Sequence, residues 1–325
     1  MTDSFSIVVP MYNVACHLAT FFENCDELLA TYPDIEICLV NDGSTDATDQ
    51  LAKHFSDRHP DKVKYLSQKN QGVSAARNKG MDIASGDWIG FADPDDYIPV
   101  SAYEKLLNRD LRHVDIVGGN YFRVYGDRRS EKKEDAEGRH LNGLEYLLFN
   151  HRHCGDFPRT VWNNLYRKDF LRGASISFAI GVPVGEDMLF NLQAFAKAPL
   201  VIKIADTVYE YNKNIISSVT SRQNTDHLEW SRSSLILARH MLALSKTGIL
   251  SGQEEVLDTF AYYFTIRIIR NIRRVQKVNE QLELIKQIST LITELKQNHQ
   301  VKYKLMKHTR EKIYLLAMKF RTVFH

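Results

Sequence analysis

Along the first hundred residues, apolar and polar positions switch repeatedly between two periods. Four short, largely apolar runs, Phe5–Pro10, Ile35–Val40, Val63–Leu66 and Asp87–Ala92, read as strands buried on both faces. Between them the apolar positions fall at helical spacing. Leu18, Phe21, Phe22, Cys25, Leu28 and Leu29 mark a helix within residues 15–31. A turn and cap at Asn41–Asp46 lead into a helix reaching about residue 58, and Val73–Ala84 forms a third, closed by Ser85-Gly86. Strands alternating with helices predict an α/β fold with a parallel sheet, whose ligands gather at the carboxyl ends of the strands. Tyr12, Asn13, Asp42 and Asp93–Asp96 all fall at such ends.

The later sequence is less regular. Leu106–Arg112 reads as helical, Val114–Phe122 as extended and Arg123–Gly138 as a charged loop or mobile hairpin. Val161–Phe170 and Met188–Phe195 read as further helices, and Val201–Tyr211 as one or two strands. From about Asp226 nearly everything is helical. The expected organisation is one α/β domain over residues 1–225 followed by a helical region over 226–325. Charge supports that division, because residues 231–325 carry 17 Lys and Arg against 7 Asp and Glu, whereas residues 1–230 carry 25 against 33.

The twelve histidines and the four cysteines (Cys16, Cys25, Cys38, Cys154) show no metal-ligand spacing. Reduced thiols, no visible signal peptide and no uncharged apolar run of spanning length predict a cytoplasmic protein whose membrane contact is peripheral. Asp93-Pro94-Asp95-Asp96 carries the clearest chemistry. Three carboxylates at a buried strand end repel one another and resist desolvation, so they require a cation. Oxygen-only ligands suit Mg²⁺ or Mn²⁺, and substrate phosphates commonly complete the coordination of such ions. No glycine-rich loop follows the first strand, which argues against a dehydrogenase and against nucleotidyl transfer.

Taken together and in order, Ser6–Asn13, Asn41–Asp46, Asn70–Asn78, Asp93–Asp96, Trp162–Arg167 and Gly185–Asn191 resemble the family 2 glycosyltransferases with the GT-A fold, over roughly residues 5–220. The resemblance implies a Rossmann-like, mostly parallel central sheet flanked by helices. It places a nucleotide-sugar half at about 1–98 and an acceptor half at about 99–225. It implies inverting transfer from a nucleotide diphosphate sugar, most often a UDP-sugar, to a glycan, lipid-linked or other glycoconjugate hydroxyl, with Mn²⁺ or Mg²⁺ as cofactor. Carried over residue by residue, Pro10 and Tyr12 border the nucleobase, Asp42 hydrogen-bonds it, and Asn70 and Arg77 follow the nucleoside and diphosphate. Asp93, beside Pro94, touches the ribose and shares the metal with Asp95. Asp187 is the catalytic base, with Glu186 orienting the acceptor or holding Asp187. Trp162 and Asn163 face the acceptor, and Ser218 the diphosphate. Asn212, in Tyr209-Glu210-Tyr211-Asn212, stands where the family usually has a basic residue, which leaves that contact to Lys213 or Arg222. The family's processive synthases carry spanning helices and a Gln-x-x-Arg-Trp motif. Neither occurs here, so single-sugar addition is expected.

Each segment also has a plainer reading. Asp42-Gly43-Ser44 is a common turn and cap, Arg77 an ordinary surface arginine, Glu186-Asp187 a helix-start acid pair, and Trp162 a core residue. A non-catalytic sugar-nucleotide-binding or scaffold protein would keep the same folding motifs. In the tail, residues 259–278 and 301–325 mix apolar side chains with Lys and Arg. That mixture suits packing on the catalytic domain, a homo-oligomer contact or an anionic membrane surface, and no nucleic-acid-binding motif accompanies it.

Overall fold

The computed structural model describes residues 3–107, 110–133, 138–154, 158–182, 184–213, 227–246 and 278–298, together with 261, 264–265, 268–269, 271 and 274–275. The chain divides into two compact units. One comprises Met1–Gly181 and Glu186–Ser218, the other Val182–Gly185 and Val219–His325.

The first unit is a nine-stranded mixed sheet flanked by helices. Its strands are β1 (Phe5–Met11), β2 (Ile35–Asn41), β3 (Val63–Ser67), β4 (Trp88–Phe91), β5 (Ile116–Tyr125), β6 (Arg128–Lys132), β7 (His140–Leu141), β8 (Asn164–Arg167) and β9 (Val201–Asn212). They lie in the order β3-β2-β1-β4-β8-β5-β9-β7, with β6 paired to β5. β1 to β4 are parallel, as the alternation of strands and helices requires. Beyond β4 the expected mostly parallel arrangement gives way. β8 runs antiparallel to both β4 and β5, β6 to β5 and β7 to β9, while β5 and β9 are parallel.

Among the described residues this unit also has the helices α1 (Ala15–Thr31), α2 (Thr48–Arg58), α3 (Val73–Ile83), α4 (Ala102–Leu107), α5 (Gly143–Cys154), α6 (Lys168–Gly173) and α7 (Glu186–Lys197). α1 buries the six apolar positions expected of it, plus Asn24. Those side chains meet Phe5, Ile7 and Val9 of β1, Ile37 and Leu39 of β2, and Trp88 of β4 in one core. Apolar burial of this kind stabilises at roughly 25 cal/mol per Å². Asn24 tolerates burial because its amide takes both backbone groups of Ile98, donating to the carbonyl at 2.9 Å and accepting the N–H at 2.9 Å.

Two local expectations are corrected, and one of two alternatives is decided. The helix read at Leu106–Arg112 runs from Ala102 to Leu107, with Ala102, Tyr103 and Leu106 as its buried face; Val114 then closes a turn on the Leu111 carbonyl at 3.0 Å. Val161–Phe170 is not one helix, because β8 occupies Asn164–Arg167 and α6 starts only at Lys168. Val161 and Leu165 have helical spacing, but β8 sits mid-sheet with Leu165 and Tyr166 buried by layers on opposite faces, which erases the two-residue alternation. Of the loop and the hairpin expected within Arg123–Gly138, the structure has the hairpin: the end of β5 turns back into β6, which pairs with it antiparallel. β6 is exposed at every position, so it too shows no alternation.

Among the described residues of the second unit, α8 (His227–Lys246) and α9 (Val278–Asn298) are long helices. α9 buries Leu284, Ile285, Ile288, Leu291 and Ile292 along one stripe, and Lys246 of α8 pairs with Glu294 of α9 at 3.4 Å. Residues 301–325, most of 259–278, Ser218 and Arg222 lie outside the described residues. Among the described residues no helix is long and apolar enough to cross a membrane.

Candidate active site

The carboxyl ends of the parallel strands and the start of α7 form the site. After β1 and β2 the chain makes two loops that hold each other. The Asn13 N–H donates to Ser44 Oγ at 3.0 Å, and Asn13 Oδ1 accepts the Thr45 N–H at 2.8 Å. Pro10 is buried beneath them, and Tyr12 is exposed at their rim. Asp42 is buried and accepts three hydrogen bonds: Gln68 Nε2 at 2.7 Å, the Gln71 N–H at 2.9 Å and the Gly72 N–H at 2.8 Å. It therefore ties the end of β2 to the entrance of α3. Gly43 is enforced by geometry. Its φ is +72°, and a Cβ there would lie 2.7 Å from the backbone nitrogen of Asn70.

The acidic turn after β4 comes next. Carboxylate oxygens of Asp93, Asp95 and Asp96 lie within 4.8 Å of one another. Burial, followed by the charge of Asp93, raises Asp95 to about 6. Burial also raises Asp96 well above the usual carboxylate range, with Asp93 and Asp95 adding to the effect. The three acids are not equivalent, however. Asp96 turns inward, where Oδ2 accepts the Tyr209 hydroxyl at 2.9 Å and Oδ1 accepts the Asn212 N–H at 2.8 Å.

Arg77, on α3, joins this turn to α7. Its guanidinium is buried and contacts Asp93 at 3.1 Å through Nη2, and Glu186 at 3.2 Å and Asp187 at 2.5 Å through Nη1. The Phe178 ring lies 5.3 Å from the guanidinium carbon. The plainer reading of Arg77 as a surface residue is thus excluded. Glu186 and Asp187 occupy the first turn of α7, where the helix dipole favours negative charge. Asp187 also accepts the Val161 N–H. Burial raises Asp187 well above the usual range; Arg77 opposes this, and Glu186 and Asp93 reinforce it. Asn191, one turn further along α7, holds the loop carrying Val161 by donating to the carbonyls of Pro158 at 3.1 Å and Thr160 at 2.8 Å.

Asp42, Arg77, Asp93, Asp95, Glu186 and Asp187 are thus brought together, with Pro94 buried within the acidic turn and Asn70 exposed beside Gly43. Trp162 and Asn163 are not on that surface. Trp162 is 7% exposed and stacks on Tyr209 at 4.4 Å, with Tyr121 edge-on at 4.6 Å. Asn163 is buried, donating to the Gly119 carbonyl and accepting the Thr160 hydroxyl. Lys213 donates to the Tyr211 hydroxyl at 3.1 Å. Sequence reasoning gave no role to Asn78 or Phe178. The Asn78 amide pairs with both backbone groups of Phe178, at 2.9 and 2.8 Å, and so fixes the ring against Arg77. The signal for Asn78 was its place at the end of the Asn70–Asn78 segment; Phe178 carried none.

Comparison with known proteins bears on family and fold. The family described as Glycosyl transferase family 2 matches residues 6–173. The glycosyltransferase EpsJ of Bacillus subtilis is 35% identical over 214 residues, covering 64% of this chain and 61% of its own length. Glycosyltransferase GlyA of Streptococcus pneumoniae is 32% identical over 222 residues, covering 64% of this chain but only 30% of its own. The chain thus spans less than two thirds of either relative. Among solved structures, residues 1–349 of TarS from S. aureus, in complex with UDP-GlcNAc, superpose with a TM-score of 0.70 at 20% identity, covering 95% of this chain and 88% of that one. The mannosyltransferase PcManGT from Pyrobaculum calidifontis, in complex with GDP-Man and Mn²⁺, gives 0.53 at 14% identity, covering 99% and 88%. At these identities the likeness is one of fold.

Proposed function

Because the chain belongs to glycosyl transferase family 2, we propose that it moves a single sugar, with inversion, from a nucleotide diphosphate sugar to an acceptor hydroxyl. A UDP-sugar is the favoured donor, in keeping with the UDP-GlcNAc held by TarS, and the acceptor is a glycan, lipid-linked or other glycoconjugate hydroxyl. The observation that carries this reading is Arg77, whose single guanidinium spans the acidic turn after β4 and the Glu186-Asp187 pair of α7. Donor-side and acceptor-side chemistry thereby share one hinge of charge.

The acidic turn fits a hard divalent ion, because its oxygens converge and its surplus negative charge already raises Asp95. Asp93 and Asp95 would hold Mn²⁺ or Mg²⁺, since the acceptor sites of Asp96 are directed inward. When bound, such an ion stabilises negative charge on the leaving diphosphate. The protein's own residues do the rest. Tyr12 and Pro10 border the nucleobase, and Asp42 anchors that wall while presenting acceptor oxygens towards it. Asp187 takes the proton of the acceptor hydroxyl as that oxygen attacks the anomeric carbon from the face opposite the diphosphate. Burial together with Glu186 and Asp93 makes Asp187 more basic than an exposed carboxylate, and Arg77 keeps an ionised form available. Glu186 fixes Arg77 from the side away from Asp93.

Incubating the protein with Mn²⁺ and a panel of UDP-, GDP-, CMP- and dTDP-sugars, then measuring thermal stabilisation and released nucleotide, tests the reading. A UDP-sugar is expected to stabilise most and to release UDP slowly without acceptor. Stabilisation by none of them would overturn the donor assignment, and stabilisation without turnover across a broad acceptor panel would favour a binding or scaffold role.

A further inference from the structure

We propose that Tyr209 is a positioning residue for the acidic turn: its hydroxyl fixes Asp93 and Asp96 relative to each other, so that Asp93 and Asp95 present a preset pair of ligands to a divalent ion. The inference rests on the metal reading given above. Tyr209 lies on β9 and is 1% exposed. Its hydroxyl oxygen accepts the backbone N–H of Asp93 at 3.0 Å and donates its proton to Asp96 Oδ2 at 2.9 Å. One hydroxyl thus satisfies a donor at the start of the turn and an acceptor at its end.

β9 grips the same turn at two further points. The Asn212 N–H donates to Asp96 Oδ1 at 2.8 Å. Glu210 and Tyr97 exchange backbone hydrogen bonds, with the Tyr97 N–H on the Glu210 carbonyl at 3.1 Å and the Glu210 N–H on the Tyr97 carbonyl at 2.9 Å. The turn is therefore fastened along its whole length to one strand. Both Asp96 oxygens are occupied by these contacts, which makes Asp96 a strut and leaves Asp93 and Asp95 facing outward.

The ring of Tyr209 is itself immobilised. Trp162 stacks on it with 4.4 Å between centroids and 16° between planes. Trp162 directly follows Val161, whose N–H is held by Asp187. The aromatic stack therefore backs the hydroxyl that holds the acidic turn. A buried hydroxyl held in this way has little freedom to relax. Without it, a peptide N–H and a carboxylate oxygen lose their partner in a buried place, and the turn must shift to regain one. Groups that orient metal ligands in this manner commonly change metal affinity by about 10- to 100-fold when removed.

The test uses the full chain and Mn²⁺ alone, with free Mn²⁺ followed by electron paramagnetic resonance and the thermal midpoint recorded beside it. Tyr209→Phe keeps the stack and removes the hydroxyl. It is expected to weaken Mn²⁺ binding by about tenfold or more while shifting the midpoint by only a few degrees. Asp96→Asn disturbs the same link, so the double variant is expected to lose no more affinity than the worse single variant. Wild-type Mn²⁺ affinity in Tyr209→Phe would overturn the proposal, as would losses that multiply in the double variant, because Asp96 would then be an independent ligand. Should Tyr209→Phe not fold, Trp162→Phe keeps the hydroxyl but thins the stack. Weaker Mn²⁺ binding there supports the proposal and unchanged binding overturns it. A wild-type chain that binds no Mn²⁺ removes the metal reading itself, whereas wild-type binding that Tyr209→Phe leaves unaltered removes only the role of Tyr209.

Discussion

Residues 5–98 and residues 99–213 build the same sheet in opposite ways. In the first stretch each strand leads through a short polar loop into a helix, and the loops of neighbouring strands touch. Asn13 reaches Ser44 and Thr45, and Asp42 reaches Gln68, Gln71 and Gly72. In the second stretch, apart from the β5–β6 hairpin, neighbours in space are distant in sequence. β8 slots between β4 and β5, and β9 returns to pair in parallel with β5. The first half makes a pocket wall from local turns; the second delivers Glu186 and Asp187 to it on a helix. Under the proposed function the first half would hold the donor and the second would remove the proton, with Arg77 the shared part.

Asp187→Asn should break that division most visibly. Transfer is expected to fall by about a thousandfold, the range of general-base catalysis, while calorimetric affinity for the donor changes by less than about threefold. A parallel loss of both would merge the two roles. Arg77→Met attacks the shared part. It leaves Asp93, Glu186 and Asp187 partly buried without their cation, and a destabilisation of about 3–5 kcal/mol is expected in denaturant titration. A loss below about 1 kcal/mol would mean that the two halves are not joined there.

A third measurement concerns the first half alone. Folded Asp95 keeps its proton up to about pH 6, whereas the unfolded chain releases it near pH ~4. Between those values the folded state binds more protons, so stability falls as pH rises through the window and levels off above it. With divalent ions chelated, the thermal midpoint of the wild type should decline from pH 4 to 6, and Asp95→Asn should flatten that decline. An identical slope in both would remove Asp95 as its source. The smallest effect is expected at an exposed ion pair of the second half. Arg129 on β6 pairs with Glu210 at 3.1 Å but is largely solvent-exposed, so Arg129→Ala should cost less than about 1 kcal/mol and leave turnover unchanged.

The same contrast explains what could be read from the chain. α1, β1, β2 and the acidic turn were legible because each shows itself in its own stretch: a helical stripe in α1, plain apolar runs where β1 and β2 are buried on both faces, and adjacent carboxylates in the turn. β8 was misread because the sheet around it hides its alternation, and the β5–β6 hairpin was left undecided against a loop because nothing covers β6 on either side. The acidic turn was recognisable as a cluster, but the inward rotation of Asp96 depends on Tyr209, 113 residues later. Arg77 was equally opaque. Its partners are 16, 109 and 110 residues away, and no local spacing announces that three carboxylates converge on one guanidinium.

Gly43 carries a consequence for heredity. An added methyl group would press on the Asn70 nitrogen, and a positive φ would strain any side chain even if that space opened. Two unfavourable terms act on one position, so no single substitution relieves both. The loop at 68–72 and the glycine opposite it should therefore drift together or not at all. A library randomising residue 43 alone should return glycine among active clones. Active clones with another residue there should appear only when residues 68–72 are randomised as well.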